Sequence, residues 1–319
     1  HLKGGLDMSS DKLSELNKKS LDEYFDYLNK QQLYYRDSLS LQEFVTFGIE
    51  IEYEKFKREK VDNYTIRTLK KWHSKDDSTL KAGGEVTSPI LTDSLTTWKE
   101  LRKICNYLRK NKVYTKGNAG GHIHVGSHIM NADLESWRCF LKTYMIYENE
   151  LVYFLNGEDK LARKSASKYA KLVSETYYRR LDDINEARDL SELYYAIILS
   201  KKNALSFFYT KLKSTHRDVY NTVEFRSPNS SVNELIWQNN INTVTKLMLA
   251  ARNKKIDEDF LDYKLEKEPD KFALLPKALE LADIIFDNDL DKMYFLKQYK
   301  KDFSFIEEKK EKTKVMSFK

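Results

Sequence analysis

Sulfur cross-links are the first thing this sequence withholds. Only two cysteines, Cys105 and Cys139, occur among 319 residues, with no CxxC and no Cys/His spacing, so neither a disulfide framework nor a finger-type zinc site is expected. Both sit in patterns that read as amphipathic helices, and two reduced core thiols of a cytoplasmic protein are the expectation. No apolar run approaches the roughly 20 residues that span a bilayer, and no signal-peptide pattern opens the chain, so no membrane partner is expected. A surplus of one charge is missing too. Fifty-five basic residues against 49 acidic ones leave +6, dispersed apart from short runs such as Arg109-Lys110-Asn111-Lys112, so nucleic acid is not expected as a partner. With ten glycines and four prolines, there is no low-complexity linker, no internal repeat, and neither GxxxxGK nor GxGxxG, leaving P-loop and Rossmann sites unsupported.

What remains is a chain with 41% apolar and 13% aromatic residues and a mean hydropathy of -0.66, its aromatics spread throughout, which suits one globular mixed domain. The seven residues before Met8 read as an expression scar. Helical spacing over 9–43 predicts a helical lead-in filling 8–46, and a single catalytic domain is expected over 47–319. Residues 54–75 are polar and poorly patterned. Gly83 to Ile90 reads as turn, short strand and stop. Helices are expected over Thr97 to Lys110, with Trp98, Leu101, Ile104, Cys105 and Leu108 on one stripe, and from an N-cap at Asn131 to Leu155. More helix is predicted over 165–200, 233–253 and 269–299, with a strand over 202–212 and a frayed Lys-rich tail from Glu307.

Three short stretches repeat one design: Phe47-Gly48-Ile49-Glu50-Ile51-Glu52-Tyr53, Gly121-His122-Ile123-His124-Val125 and Thr222-Val223-Glu224-Phe225-Arg226. Alternation puts Glu50 and Glu52, His122 and His124, and Glu224 and Arg226 each on one strand face, with large apolar residues opposite. A lone Glu-x-Glu suits a solvated edge, a lone His-x-His a structural pair, and Glu224 with Arg226 an ion pair. Adjacent strands lie about 4.8 Å apart, so if these three are neighbours their side chains converge within roughly 10 Å. Such a carboxylate pair, half-buried, needs a cation. Carboxylates with one imidazole suit Mg2+ or Mn2+, and an arginine fork suits a transferring phosphoryl group. Metal, phosphate and arginine together fit ATP chemistry.

With Gly84-Glu85-Val86-Thr87-Ser88-Pro89-Ile90-Leu91 added, and the second motif read as Gly120-Gly121-His122-Ile123-His124-Val125-Gly126, the chain resembles the amidoligases. This family belongs to the carboxylate-amine ligase superfamily, related to glutamine synthetase and glutamate-cysteine ligase. The resemblance spans residues 47–226 and implies an α+β fold: a glutamine-synthetase-like catalytic domain with a curved, mainly antiparallel sheet backed by helices. It implies that Glu50, Glu52, Glu85 and Glu224 hold metal ions with His122, that Arg226 meets the transferred phosphoryl group, and that His124 lies near nucleotide or substrate. Asn118 and Gly120 would line the substrate pocket. Asp77 matches an acidic position for which Asp76 competes, and Lys202 is a weaker match.

The expected activity is an ATP- and Mg2+-dependent (or Mn2+-dependent) ligase joining a carboxylate to an amine through an acyl phosphate, with peptides and amino acids among the open substrates. A guanidino-kinase-like phosphotransferase, a metal-dependent hydrolase and a non-catalytic binding module are the alternatives.

Overall fold

The computed structural model describes residues 33–69, 71–208, 222–267 and 271–303, with Glu23 and Lys30 besides. Six strands form one sheet: β1 (Phe47–Tyr53), β2 (His73–Lys75), β3 (Gly84–Thr87), β4 (Gly121–Gly126), β5 (Leu205–Phe208) and β6 (Thr222–Phe225). Their order is β2-β3-β1-β4-β6-β5, and every pairing is antiparallel. The three motif strands, β1, β4 and β6, are therefore consecutive neighbours at the sheet's centre, although nearly 100 residues separate the last two in sequence.

The alternation dictates which way the sheet faces. Phe47, Ile49, Ile51, Tyr53, Val86, Ile123, Val125, Val223 and Phe225 are all buried, and they back onto helices. Helix α1 (Arg58–Thr68) flanks β2, whereas α2 (Leu95–Lys110) and α3 (Leu134–Leu155) supply aromatic contacts. Trp98 of α2 stacks on Phe47 at 5.7 Å, and Phe140 and Tyr144 of α3 meet Phe225 at 6.3 and 6.2 Å. Ser94 caps α2 by accepting from the Thr97 N–H, and the stripe of Trp98, Leu101, Ile104, Cys105 and Leu108 is buried, as its spacing predicts. Both cysteines are free and buried.

Between α3 and β5 run four short helices, α4 (Ala166–Tyr169), α5 (Ser174–Tyr178), α6 (Leu181–Glu186) and α7 (Leu190–Ile197). After the sheet come α8 (Glu234–Arg252), α9 (Glu258–Leu265), α10 (Leu275–Ile285) and α11 (Asp289–Tyr299). Helix α8 is buried on nearly all sides, so its polar residues need partners inside the protein. Asn239 and Asn240 bond to Gln298 of α11, Asn242 donates to Asp291, and Gln238 exchanges hydrogen bonds with the Arg36 backbone. These bonds fasten the segment before the sheet and the last helix to one central rod.

Several sequence expectations are corrected. Within the expected helical lead-in, Glu23 and Lys30 are helical whereas residues 33–46 contain no helix; the rest of it lies outside the described residues, as do the tail from 307 and residues 209–212 of the expected strand. The stretch 54–75 holds a helix and an edge strand; α1 buries only Val61 and Thr65, too few to draw a stripe. Asn131 does not cap α3: it closes a single 3-10 turn with φ of 53°, and Asp133 takes the N-cap position. The helices expected over 165–200 and 269–299 are broken, the latter where Asn288 caps α11 through the Asp291 N–H. Among the described residues no helix is long and apolar enough to cross a membrane.

Packing behind the sheet is tight where β4 begins. A Cβ on Gly121 would stand 2.1 Å from the Trp237 ring, whose Nε1 is held by the Ser231 carbonyl at 2.8 Å. Gly121→Ala is expected to cost at least the roughly 1–3 kcal/mol typical of overpacked cores, read as a lower urea midpoint at unchanged slope.

Candidate metal and anion site

Register brings the functional face together. Opposite Glu50 on β1 stands His122 of β4, opposite Glu52 stands Glu85 of β3, and opposite His124 stands Glu224 of β6. The side chains then touch: His122 Nδ1 lies 2.6 Å from Glu50 Oε2, His124 Nε2 lies 3.2 Å from Glu50 Oε1, and Arg226 Nη1 donates to Glu224 Oε1 at 2.5 Å. Arg226 also donates through Nε to the Tyr169 carbonyl at 3.3 Å. Glu52 accepts from the Gly120 N–H at 2.5 Å.

These groups line a cavity of about 320 Å³, together with Asp77, Thr79, Asn118, Arg163, Ser165 and Tyr169. Five carboxylates face two guanidinium groups there, so with neutral histidines the cavity carries an excess of negative charge. That excess perturbs its members. Burial pushes the Glu85 carboxyl up, and the neighbouring Glu50 and Glu52 push it further, to about 8. Burial would also raise Glu50, but its bonds to His122 and His124 win and hold it well below the usual carboxylate range. For His124, burial favours the neutral ring, yet Glu50 and Glu224 outweigh it and raise the pKa.

Three ligand sets emerge from the geometry: Glu50, His124 and Glu224; Glu50, Glu85 and His122; and Glu52, Asp77 and Glu85. Within each, one ligand atom per residue lies within 4.8 Å of the others. Glu50 and Glu85 each belong to two sets, so the three form a continuous run across the strands. The residues fit hard divalent cations, which prefer oxygen. Two buried atoms reinforce that fit: Glu224 Oε2 and His122 Nε2 have no hydrogen-bond partner among the described residues, although the latter lies 3.5 Å from Glu52 Oε1. Unsatisfied buried polar atoms of this kind are costly without a ligand.

Of the residues singled out in the sequence, all but Asp76, Gly120 and Lys202 line the cavity. Gly120 contributes its N–H to Glu52 instead. Lys202 is an exposed residue whose carbonyl accepts from the Lys171 N–H and whose ammonium stands 6.0 Å above the Tyr169 ring. The choice between the two aspartates is a matter of direction: Asp77 faces the cavity, whereas Asp76 pairs with Arg58 Nε at 2.9 Å on the surface. Both histidines stand in ligand sets, so geometry does not separate them. Arg163, Ser165 and Tyr169 carry no signal in the sequence: the first two lie in the turns after α3 and the third ends α4, and they share no alternation or spacing with the strands.

A family model described as "Putative amidoligase enzyme" matches residues 61–248, more than half of the chain. No curated protein matches it. Among solved structures, a "novel glutamine synthase homolog" overlays with a TM-score of 0.39 at 12% identity, covering 86% of this chain and 68% of that one. The complex between the "Prokaryotic Ubiquitin-like Protein Pup and its Ligase PafA" overlays with a TM-score of 0.37 at 11% identity, covering 88% and 69%. At these scores neither overlay bears on fold or function.

The raised Glu85 pKa has a signed consequence. Folded Glu85 binds its proton more tightly than unfolded Glu85, so its contribution to stability is complete below the ordinary carboxylate range and is lost as pH rises through about 8. In chelator-treated protein, Glu85→Gln is therefore expected to flatten the fall in melting temperature between pH 5 and 8. An unchanged pH slope in this variant would contradict the assignment.

Proposed function

Because the chain belongs to the amidoligase family, we propose that it is an ATP-dependent ligase that joins a carboxylate to an amine. The observation that carries this reading is a single cavity lined by five carboxylates, two imidazoles and the guanidinium groups of Arg163 and Arg226, with Arg226 bonded directly to Glu224. A free carboxylate is a poor electrophile, so the proposed reaction transfers the terminal phosphoryl group of ATP to it, giving an acyl phosphate and ADP. An amine then attacks the acyl carbon; phosphate leaves, the amine gives up a proton, and an amide remains. Nucleic acid and membranes have no part in it.

Glu50, Glu52, Asp77, Glu85, His122 and Glu224 are the proposed holders of Mg2+ or Mn2+, with His124, beside Glu50 and Glu224, able to share that task or to face the nucleotide. Divalent ions held there would neutralise the phosphate oxygens as charge moves between them. Arg226 is fixed at both ends of its guanidinium by Glu224 and the Tyr169 carbonyl, so its fork is oriented before substrate arrives, the kind of preorganisation that stabilises a transferring phosphoryl group. Glu224 in turn is held for metal by the same contact. Asn118 lines the cavity, its carbonyl accepting from Ser165, and suits a substrate contact, as does Tyr169. Lys202 does not itself line the cavity, its ammonium standing over the ring of the lining Tyr169, and it is given no role in the reaction.

Release of ADP that depends on both Mg2+ and a carboxylate–amine pair, with the amide identified by mass spectrometry, is the expected result. Turnover that persists without nucleotide would select a hydrolase, and a phosphorylated amine with no amide would select a kinase. Arg226→Ala is expected to lower kcat at least 100-fold, about 2.7 kcal/mol of transition-state stabilisation, while its circular dichroism stays that of the parent. Ligation at the parent rate in this variant would remove the role assigned to Arg226.

A further inference from the structure

Arg163 has no place in any motif, yet every nitrogen of its guanidinium is tied down. It is buried, and its guanidinium donates to three consecutive carbonyls beyond β6: through Nη2 to Arg226 at 2.9 Å, and through Nη1 to Pro228 at 2.7 Å and Ser227 at 3.4 Å. Nε donates to Ser165 Oγ at 3.1 Å, and the Arg163 backbone N–H reaches Asn229 Oδ1 at 2.7 Å. Opposite, the chain entering β4 presses directly on the same group. A Cβ at Gly120 would stand 2.4 Å from Arg163 Cζ, so only glycine lets that backbone pass.

Each flank leads to a carboxylate. On one side the Gly120 N–H holds Glu52 at 2.5 Å; on the other, Arg226 holds Glu224 at 2.5 Å. We propose that Arg163 is a positioning residue, a buried fork that fixes the Gly120 backbone against the exit of β6 and thereby sets the spacing of Glu52 and Glu224 for divalent cations. The inference rests on the metal role proposed above. Lysine cannot substitute, because one ammonium on a flexible stem does not span three carbonyls as a planar fork does.

Positioning and simple electrostatics predict opposite signs. Arg163 is a buried cation close to Glu52, and burial together with Arg226 outweighs Glu52 in drawing its pKa down, to about 10. By charge alone, Arg163→Gln should tighten divalent-cation binding. The test is Mn2+ titration by calorimetry and electron paramagnetic resonance on the full chain, with circular dichroism establishing the folded fraction. Arg163→Gln and the charge-preserving Arg163→Lys are both expected to weaken Mn2+ at least fivefold. Gly120→Ala should weaken it similarly, and Gly120→Ala combined with Arg163→Lys should cost no more than the worse single change, because both act on one contact. Should Arg163→Gln not fold, the other three variants carry the same comparison. Unchanged or tighter Mn2+ binding in these variants, or defects that multiply in the pair, would overturn the proposal and leave the function above standing. Parent protein that binds no Mn2+ would overturn both.

Discussion

Mutual repulsion among carboxylates gathered on one face of a sheet is the constraint on which the rest of this structure depends. Glu50, Glu52, Glu85, Glu224 and Asp77 share a single cavity, where reduced solvation leaves their charges poorly screened. Two histidines and two arginines offset part of this, but not all. The fold's answer is to make the backing face apolar and close-packed, so that Phe47, Ile49, Ile51, Val223 and Phe225 anchor the strands that bear the charges. Burial behind the sheet keeps the acidic face from splaying apart.

That division of labour also explains how a site is assembled from segments far apart in sequence. Antiparallel pairing of β1 with both β3 and β4, and of β4 with β6, converts three separate alternations into one grid, in which a shift of one residue would turn every one of these polar side chains into the core. Gly121 and Gly120 guard this register from opposite sides. The first admits the Trp237 ring, and the second admits the Arg163 guanidinium. A chain with few glycines spends two of them side by side where its backbone meets helix and site.

The strands were legible because period-two alternation carries chemistry and burial together: Glu50 between Ile49 and Ile51, or His122 and His124 around Ile123, announces both faces at once. Helix α2 was legible for the analogous reason, its stripe being complete from Trp98 to Leu108. What escaped was whatever lacks a period. Helix α1 turns too few apolar residues inward, and Arg163 reaches the cavity from the turns after α3, its one clue being Gly120, the distant glycine that makes room for it. The direction of Asp77 as against Asp76 depended on the turn around it, where Thr79 donates to Asp77 by backbone and side chain.

The central claim is that this acidic face is built to hold divalent cations for phosphoryl transfer. Anomalous diffraction at the manganese edge, from crystals soaked in Mn2+ with a non-hydrolysable ATP analogue, tests it most directly. The account predicts peaks among Glu50, Glu52, Glu85, His122 and Glu224, bridged to the analogue's phosphates with Arg226 alongside. An acidic face without manganese, or an analogue bound elsewhere on the molecule, would contradict it.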